Sequence, residues 1–224
     1  MTQAPSDWWS TTRQTLPGFL RLLGKLRPTV HLPGAGMIDE SFLERHGIEG
    51  LLWDVDGTLM PHHHMAMAEE LRSAVHHLIH SGKFKHAVVS NCGESRFAEL
   101  GRIFPEVPAI KGYSGQNGPV FRVLHRGEER WLQDHHPISP VSGLRPLKKP
   151  SGELLHFAAE AIGVPPDRAV MVGDQYFTDI AGANLAGMRS IKVPTLGRSS
   201  FPWPIRVFQR IEALLYRLLY SHDR

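Results

Sequence analysis

The stretch 51–59, with the sequence LLWDVDGTL, constrains the fold of this chain more than any other. It is an apolar run that ends in two aspartates two residues apart, Asp54 and Asp56, followed by Gly57 and Thr58. This pattern predicts a buried strand whose carboxyl end opens into an acidic loop, and Gly57 gives the backbone the freedom to turn there. Because two crowded carboxylates repel each other, the loop favours a hard divalent cation such as Mg²⁺.

The alternative is that Asp54 and Asp56 are solvated turn residues, since Asp-Gly pairs often mark turns. Two other apolar runs argue against it. One ends in Ser90 and Asn91, and the other ends in Asp174. Repeated strands that end in polar residues are expected where functional loops gather at the carboxyl edge of a parallel sheet.

Hydrophobic periodicity predicts that helices and strands alternate along the chain. Helices are expected over 38–46, 65–80 and 94–103, from Ser151 to Gly163, and from Thr178 or Asp179 to Gly187. Strands are expected before Asp54, over 86–91, at 108–110, and over 169–174 and 189–193. This order indicates an α/β fold, a doubly wound and mainly parallel sheet with helices on both faces.

The acidic loop and three later motifs together resemble the motifs of a known superfamily. The acidic loop resembles the first motif of the haloacid dehalogenase (HAD) superfamily, and the other family motifs follow in order at Ser90, Lys149 and residues 173–179. Lys149 precedes a proline, as the family pattern expects, which makes Lys148 the second choice. The resemblance implies a HAD-like Rossmannoid fold and a Mg²⁺-dependent phosphomonoester hydrolase that forms an aspartyl-phosphate intermediate.

Roles for individual residues follow from the same resemblance. Asp54 is the implied nucleophile, and Asp56 the implied acid and base. The implied phosphate-binding groups are Ser90, Asn91 and Lys149. The implied Mg²⁺ ligands are Asp54, the backbone carbonyl of Asp56, and Asp174, with Asp179 supporting them by holding the lysine or a metal-bound water.

The residues of the last motif are similar to those of a narrower branch, the subclass IIIA phosphatases that include phosphatidylglycerophosphate phosphatases. The chain departs from that branch at Gly57 and at Cys92, where asparagine is usual, and in an inserted segment. The resemblance therefore implies a phosphorylated substrate and makes a lipid phosphate one candidate. The alternatives are a soluble small-molecule phosphatase and a non-catalytic binding protein on a HAD fold.

The chain is divided into three parts by these patterns. Residues 1–30 form an amphipathic arm, 31–195 a phosphatase core with a small insertion at about 112–146, and 196–224 a basic amphipathic C-terminal helix. Two apolar runs between 121 and 132 surround an Arg-Gly-Glu sequence and predict a hairpin within the insertion. The sequence leaves open whether this insertion covers the site or extends an edge of the sheet.

Both terminal segments have two interpretations. In the arm, Trp8 and Trp9 precede an apolar helical face that includes Phe19, with basic residues opposite. In the tail, Val207, Phe208, Ile211, Leu214, Leu215, Leu218 and Leu219 share one arc, and Arg206, Arg210 and Arg217 lie opposite. Each segment suits peripheral contact with an anionic membrane or packing on the protein's own core.

Bulk properties exclude several other classes. The formal net charge of +3 gives no reason to expect a nucleic-acid partner. The single cysteine, Cys92, excludes an internal disulfide framework, fits a reducing, cytoplasmic setting, and is interpreted as a packing residue. No secretory signal is recognisable. The fourteen histidines lack the arrangement of a zinc site, although His62 and His63 follow the acidic loop closely enough to approach a substrate.

Overall fold

A computed structural model describes residues 22–220 of this protein. The strands are β1 (Val30–His31), β2 (Gly50–Trp53), β3 (Lys85–Val89), β4 (Ala109–Gly115), β5 (Gly118–His125), β6 (Glu128–Gln133), β7 (His136–Ile138), β8 (Arg145–Leu147), β9 (Ala169–Gly173) and β10 (Arg189–Lys192). The helices are α1 (Glu40–Arg45), α2 (Glu69–His80), α3 (Glu94–Ile103), α4 (Gly152–Ala161), α5 (Ala181–Leu185) and α6 (Trp203–Tyr220).

All ten strands belong to one sheet with the order β1-β10-β9-β2-β3-β4-β5-β6-β7, and β8 pairs with β4. Neighbouring strands are parallel from β1 through β10, β9, β2 and β3 to β4. Every pairing that involves β5, β6, β7 or β8 is antiparallel. The predicted doubly wound α/β fold is confirmed, with β2 at the centre of the parallel part.

Strand side chains alternate between two hydrophobic cores, one on each face of the sheet. On β2, Leu51 and Trp53 enter the core that also contains the buried residues of α1, α2 and α3, whereas Leu52 enters the core beneath α4. Because both faces are covered, β2 and β9 carry no polar side chain.

The segment after β4 extends the sheet instead of forming a separate domain. The predicted hairpin is confirmed as β5 and β6, paired antiparallel from Phe121–Leu132 to His125–Glu128. The chain then returns through β7 and β8. Strand β8 pairs with Gly112, Tyr113 and Ser114 of β4, beyond the residues of β4 that pair with β3.

This return path positions Lys149. Strand β8 ends at Leu147, which pairs with Gly112, two residues beyond the last residue of β4 that pairs with β3, and Lys149 follows two residues later. The lysine thereby reaches the edge at which β2, β3 and β9 also end. Helix α4 begins directly after it, capped by Ser151, whose Oγ accepts a hydrogen bond from the Leu154 amide at 3.4 Å.

Two helices differ in detail from the sequence prediction. Helix α2 begins at Glu69 rather than at residue 65. The helix expected from Thr178 or Asp179 starts earlier, as a π-helical turn at Tyr176–Ile180 that continues into α5. The wider turn directs Asp179 back toward the end of β9, where its carboxylate accepts a hydrogen bond from the Gln175 amide at 3.0 Å.

The described ends of the chain pack against each other. Leu22 and Leu26 are buried with Phe177 and Ala181, and the partly buried Phe208, Leu215, Tyr216 and Tyr220 of α6 pack on them. For residues 22–26 the core-packing interpretation of the N-terminal arm is therefore correct. The predicted features at Trp8, Trp9 and Phe19 lie outside the described residues, as do residues 221–224. Within 22–220, no helix combines the length and apolar character needed to cross a bilayer.

Candidate active site

The polar residues singled out in the sequence meet at one edge of the sheet. Asp54 follows β2, Ser90 and Asn91 follow β3, and Asp174 follows β9. Lys149 arrives from the antiparallel strand β8. Parallel strands that end together place their loops around a shared crevice, so the fold brings residues from four segments to one site.

Lys149 bridges two carboxylates at the centre of the site. Its Nζ lies 2.7 Å from Asp54 Oδ1 and 2.7 Å from Asp179 Oδ1. Burial alone would lower the pKa of Lys149, but the attraction of Asp179 and Asp54 outweighs it and holds that pKa above its usual range. Lys149, rather than the partly exposed Lys148, is therefore the buried cation, and Asp179 binds the lysine, one of the two roles expected of it.

The carboxylates carry more negative charge than Lys149 neutralises. Burial raises the pKa of Asp54 to about 8; Lys149 opposes the shift, and Asp179 and Asp174 add to it by repulsion. Burial also raises the pKa of Asp174 to about 6, again with repulsion from Asp179. The buried ammonium of Lys192 also attracts Asp174 and Asp179. The three carboxylates still outnumber the two ammonium groups, so the site favours an additional cation.

The arrangement fits a divalent metal. One carboxylate oxygen from each of Asp54, Asp174 and Asp179 lies within 4.8 Å of the other two. Asp174 Oδ1 is buried and has no hydrogen-bond partner within residues 22–220. Buried polar atoms normally have partners, and hard oxygen ligands are those that Mg²⁺ prefers. A metal ion in contact with Asp174 Oδ1 would satisfy this atom.

The carboxylate of Asp56 binds Arg96 instead of joining the cluster of the other three acids. Its Oδ1 accepts a hydrogen bond from Arg96 Nη2 at 2.7 Å, and its Oδ2 faces Arg96 Nε at 3.3 Å. The amide of His63 also donates to Oδ1 at 3.2 Å. Because its side chain is engaged in this way, only the backbone carbonyl of Asp56, the group named by the prediction, is left for a metal. Asp179 supplies the third carboxylate of the cluster.

Arg96 was not identified from the sequence. It lies on α3, its side chain is fully buried, and it also contacts Glu99 at 3.1 Å and the carbonyl of His64 at 2.7 Å. Burial would lower the pKa of Arg96, but hydrogen bonds and attraction from Asp56 outweigh this and raise it. A single arginine in a helix carries no motif, so its role becomes visible only in the fold.

The loop after β3 supports Lys149 directly. The Asn91 side chain donates to the Lys149 carbonyl at 2.9 Å and accepts from the Lys149 amide at 2.8 Å. Both polar atoms of Asn91 therefore hold the lysine backbone, while the half-buried Ser90 is the candidate from this loop for contact with a phosphate. Burial raises the pKa of Cys92 to about 11, which disfavours the reactive thiolate and agrees with the packing interpretation.

Two glycines are required by close approaches at the site. Gly57 has φ of 95°, and a Cβ there would lie 2.9 Å from Asp174 Oδ2 and 2.9 Å from the Phe201 ring. A Cβ on Gly173 would lie 2.3 Å from the Asp179 carboxylate. Both positions allow an acid side chain to pass directly over the backbone.

The C-terminal helix also reaches the site, which the sequence did not indicate. Gln209 of α6 is buried and its Nε2 donates to Asp174 Oδ2 at 3.3 Å. Glu212, one turn later, accepts a hydrogen bond from the Phe177 amide at 2.9 Å. Burial raises the pKa of Glu212 to about 8; the Phe177 hydrogen bond opposes the shift, and Asp174 and Asp179 add to it. These two polar residues lie on the inner side of a helix whose periodicity predicts an apolar inner side.

The chain is similar in sequence to known phosphatases. Residues 146–200 match the family model described as "HAD-hyrolase-like". The chain is 26% identical over 193 residues to the phosphatidylglycerophosphate phosphatase 1 (chloroplastic/mitochondrial) of Arabidopsis thaliana, which covers 86% of this chain and 48% of that protein. It is 27% identical over 186 residues to phosphatidylglycerophosphate phosphatase 1 (chloroplastic) of Chlamydomonas reinhardtii, covering 83% of this chain and 59% of that protein.

A shorter match has higher identity. The phosphoserine phosphatase of Thermus thermophilus is 32% identical over 111 residues, which covers 45% of each chain. The chain thus spans about half the length of the curated relatives it matches. The family model includes Lys149, Asp174 and Asp179, three of the four residues of the buried cluster.

Proposed function

We propose that this member of the haloacid dehalogenase superfamily, which resembles the phosphatidylglycerophosphate phosphatase branch, is a Mg²⁺-dependent phosphomonoester hydrolase. The observation that carries the proposal is the buried cluster, in which three carboxylates come within 4.8 Å of one another and Lys149 bridges two of them. Phosphoryl transfer depends on positioning and on charge neutralisation more than on elaborate covalent chemistry. A rigid, buried set of opposite charges suits both requirements.

Asp54 is the proposed nucleophile. Its carboxylate oxygen attacks phosphorus, the bond to the leaving oxygen breaks, and an aspartyl-phosphate forms. Asp56 donates a proton to the leaving oxygen and later takes a proton from the water that hydrolyses the intermediate. Because Arg96 contacts both oxygens of Asp56, this role requires the Asp56 side chain to exchange Arg96 for the substrate.

Lys149 and Ser90 are the proposed phosphate-binding groups. An ammonium group has three N–H donors, and Lys149 uses two of them on Asp54 and Asp179. The third can reach a phosphate oxygen while the lysine stays in place. The hydroxyl of Ser90, at the end of β3, provides a second donor on the same edge.

Asp54 and Asp174, with the backbone carbonyl of Asp56, are the proposed Mg²⁺ ligands, and the unpartnered Asp174 Oδ1 supports this assignment. The metal, when bound, would supply the positive charge that screens Asp54 from the phosphate. Asp179 keeps Lys149 in place beside that set.

For the substrate, we infer a lipid phosphate of the phosphatidylglycerophosphate type. The two relatives that this chain matches over more than four fifths of its length carry that activity in their names. The second candidate is a soluble phosphomonoester, favoured by the higher identity to a phosphoserine phosphatase over a shorter region.

The deciding experiment is Mg²⁺-dependent phosphate release from phosphatidylglycerophosphate in mixed micelles, compared with soluble phosphomonoesters. We expect Asp54→Asn to lower kcat by about a thousandfold or more, because it removes the nucleophile. Asp167→Asn, the same chemical change at an exposed position, is the matched control and should retain full activity.

Each outcome separates the candidates. Preference for the lipid, lost in Asp54→Asn, supports both the chemistry and the substrate. Equal or faster hydrolysis of a soluble ester supports the chemistry and overturns the lipid proposal. Phosphate release that survives Asp54→Asn overturns the proposed nucleophile, and no release from any substrate favours a non-catalytic binding protein.

A further inference from the structure

Helix α6 has two unlike faces. Its inner face carries Phe208 and Leu215, which pack on the core, and Gln209 and Glu212, which reach the site. Its outer face carries large apolar side chains that are exposed. We call these five residues the outer stripe: Trp203 (68% exposed), Val207 (42%), Ile211 (46%), Leu214 (57%) and Leu218 (67%).

The outer stripe is continuous along the helix. Its members are separated by four, four, three and four residues, so they occupy one side of the helix. At 1.5 Å per residue, the 18 residues of α6 extend over about 27 Å. Contiguous exposed apolar surface of this kind marks an interaction site, whereas single exposed apolar residues need no explanation.

Basic residues border the stripe. Arg206, Arg210 and Arg217 each follow a stripe residue by three positions, so they line one side of it. Arg210 and Arg217 are exposed and Arg206 is partly exposed. The sole acidic residue of α6 is Glu212, which is buried on the inner face. The outer half of the helix therefore presents apolar and positively charged groups without a compensating acid.

These properties decide between two kinds of partner. A second copy of this chain would bring the same arginines near one another, which like-charge repulsion disfavours. An anionic lipid surface matches both features, because apolar side chains enter the acyl region while arginines contact the phosphate groups above it. Tryptophan is also favoured at the boundary between apolar and polar layers.

We propose that the outer stripe of α6 binds an anionic lipid bilayer, with Arg206, Arg210 and Arg217 contacting its phosphate headgroups. The proposal rests on the proposed function, because a lipid phosphate is the substrate that such binding would present. The inner face of the same helix contacts Asp174 through Gln209. The membrane-binding element is thus also part of the wall of the site.

The test uses the full chain in a vesicle co-sedimentation assay. Vesicles of phosphatidylcholine mixed with phosphatidylglycerol are compared with vesicles of phosphatidylcholine alone, at low and high salt. The variant carries Leu214→Ser and Leu218→Ser. The control carries Met37→Ser and Val141→Ser, which also replace exposed apolar residues (60% and 42% exposed) but lie outside α6.

The native chain should bind the anionic vesicles and not the neutral ones, and binding should weaken as salt rises. The Leu214→Ser, Leu218→Ser variant should bind about tenfold more weakly or worse, since two apolar side chains no longer leave water. The control should bind as the native chain does. Hydrolysis of a soluble ester should be unchanged in both variants, because none of the four residues belongs to the site.

Three outcomes would overturn the proposal: equal binding to neutral vesicles, equal binding by the stripe variant and the native chain, or a dimer in light scattering that the stripe variant dissociates. These results are separable from failure of the proposed function. Vesicle binding without Asp54-dependent hydrolysis would support the lipid-binding surface and contradict the proposed phosphatase function. Asp54-dependent hydrolysis without vesicle binding would support the phosphatase function and overturn the lipid-binding surface.

Discussion

Asp54 and Asp56 are two residues apart, yet they belong to two different charged groups. Asp54 joins Asp174, Asp179 and Lys149, where three carboxylates face one bridging ammonium, and the buried Lys192 adds a second positive charge near Asp174. Asp56 pairs with Arg96, whose second carboxylate partner, Glu99, is one-third exposed and therefore screened by water. The buried part of the first group carries excess negative charge, while the buried part of the second is balanced.

This difference in charge balance indicates which of the acids favour binding of a metal ion. In the balanced group, Asp56 has partners for both oxygens. In the other group, Asp174 Oδ1 has none within the described part of the chain, and burial raises the pKa of two carboxyls. An acidic motif alone does not distinguish the two cases. The balance between buried carboxylates and buried cations does.

The largest effects are expected when Lys149 or Arg96, the cation bound to the aspartate in each group, is removed. Lys149→Met removes the ammonium that bridges Asp54 and Asp179 and leaves Lys192 as the remaining cation near the three carboxylates. Loss of one partner of a buried pair costs about 3–5 kcal/mol of unfolding free energy. Saturating Mg²⁺ should stabilise this variant more than it stabilises the native chain, because the ion replaces the missing positive charge. Urea denaturation with and without Mg²⁺ measures both quantities.

Arg96→Met is the matched variant for that measurement. It should also be destabilised, but its Mg²⁺-dependent gain in stability should equal that of the native chain, because Arg96 holds the side chain of Asp56, whereas the proposed Mg²⁺ ligand is the backbone carbonyl. An equal Mg²⁺ response in the two variants would mean that the two charged groups are not distinct.

The next largest effect is expected for Asp174→Asn. This change removes one of the three carboxylates without changing side-chain size, so Mg²⁺ affinity should fall about a hundredfold, equivalent to about 3 kcal/mol. The metal-free protein should become about 1 kcal/mol more stable, because repulsion with Asp179 is relieved. Calorimetric titration and thermal unfolding test the two parts. A variant that binds Mg²⁺ normally would exclude Asp174 as a ligand.

The parts of this site that the sequence predicted are those with local patterns. Each apolar strand followed by a polar residue locates its own loop, and parallel pairing brings those loops together, so Asp54, Ser90 and Asp174 could be placed without a structure. The same reasoning predicted the fold class, which is confirmed. Lys149 needed the family motif, because it arrives from the antiparallel strand β8.

The parts that were missed depend on distant elements. Arg96, Gln209 and Glu212 lie on helices whose periodicity says only which side is apolar. For α6 that criterion is misleading: the most apolar side faces outward, and the inner side carries two polar residues because it lies against the acids of the site. Such a placement is decided by tertiary contacts, and no pattern within residues 203–220 indicates it.

The raised pKa values of Asp54 and Asp174 also predict how Mg²⁺ affinity depends on pH. Burial raises the pKa of Asp54 to about 8 and that of Asp174 to about 6, so these groups hold protons below those values and must release them to bind a cation. Affinity should therefore rise with pH, by about tenfold between pH 6 and pH 7, where one proton is displaced. Calorimetry in buffers of different ionisation enthalpy measures this proton release. Asp54→Asn should flatten the dependence, and a pH-independent affinity in the native chain would show that the carboxylates are already ionised.

The smallest expected effect concerns Gln209, which connects the acid cluster to α6. Gln209→Leu removes the hydrogen bond to Asp174 Oδ2, so Asp174 is less well oriented and Mg²⁺ affinity should fall a few-fold, equivalent to about 1 kcal/mol. Stability of the metal-free protein should change little, because Gln209 Oε1 is itself buried without a partner in the described chain, and leucine removes that cost. Titration of Mg²⁺ alongside thermal unfolding separates the two effects. If stability falls and affinity does not, Gln209 holds the helix rather than the metal ligand, and the inner face of α6 is structural only.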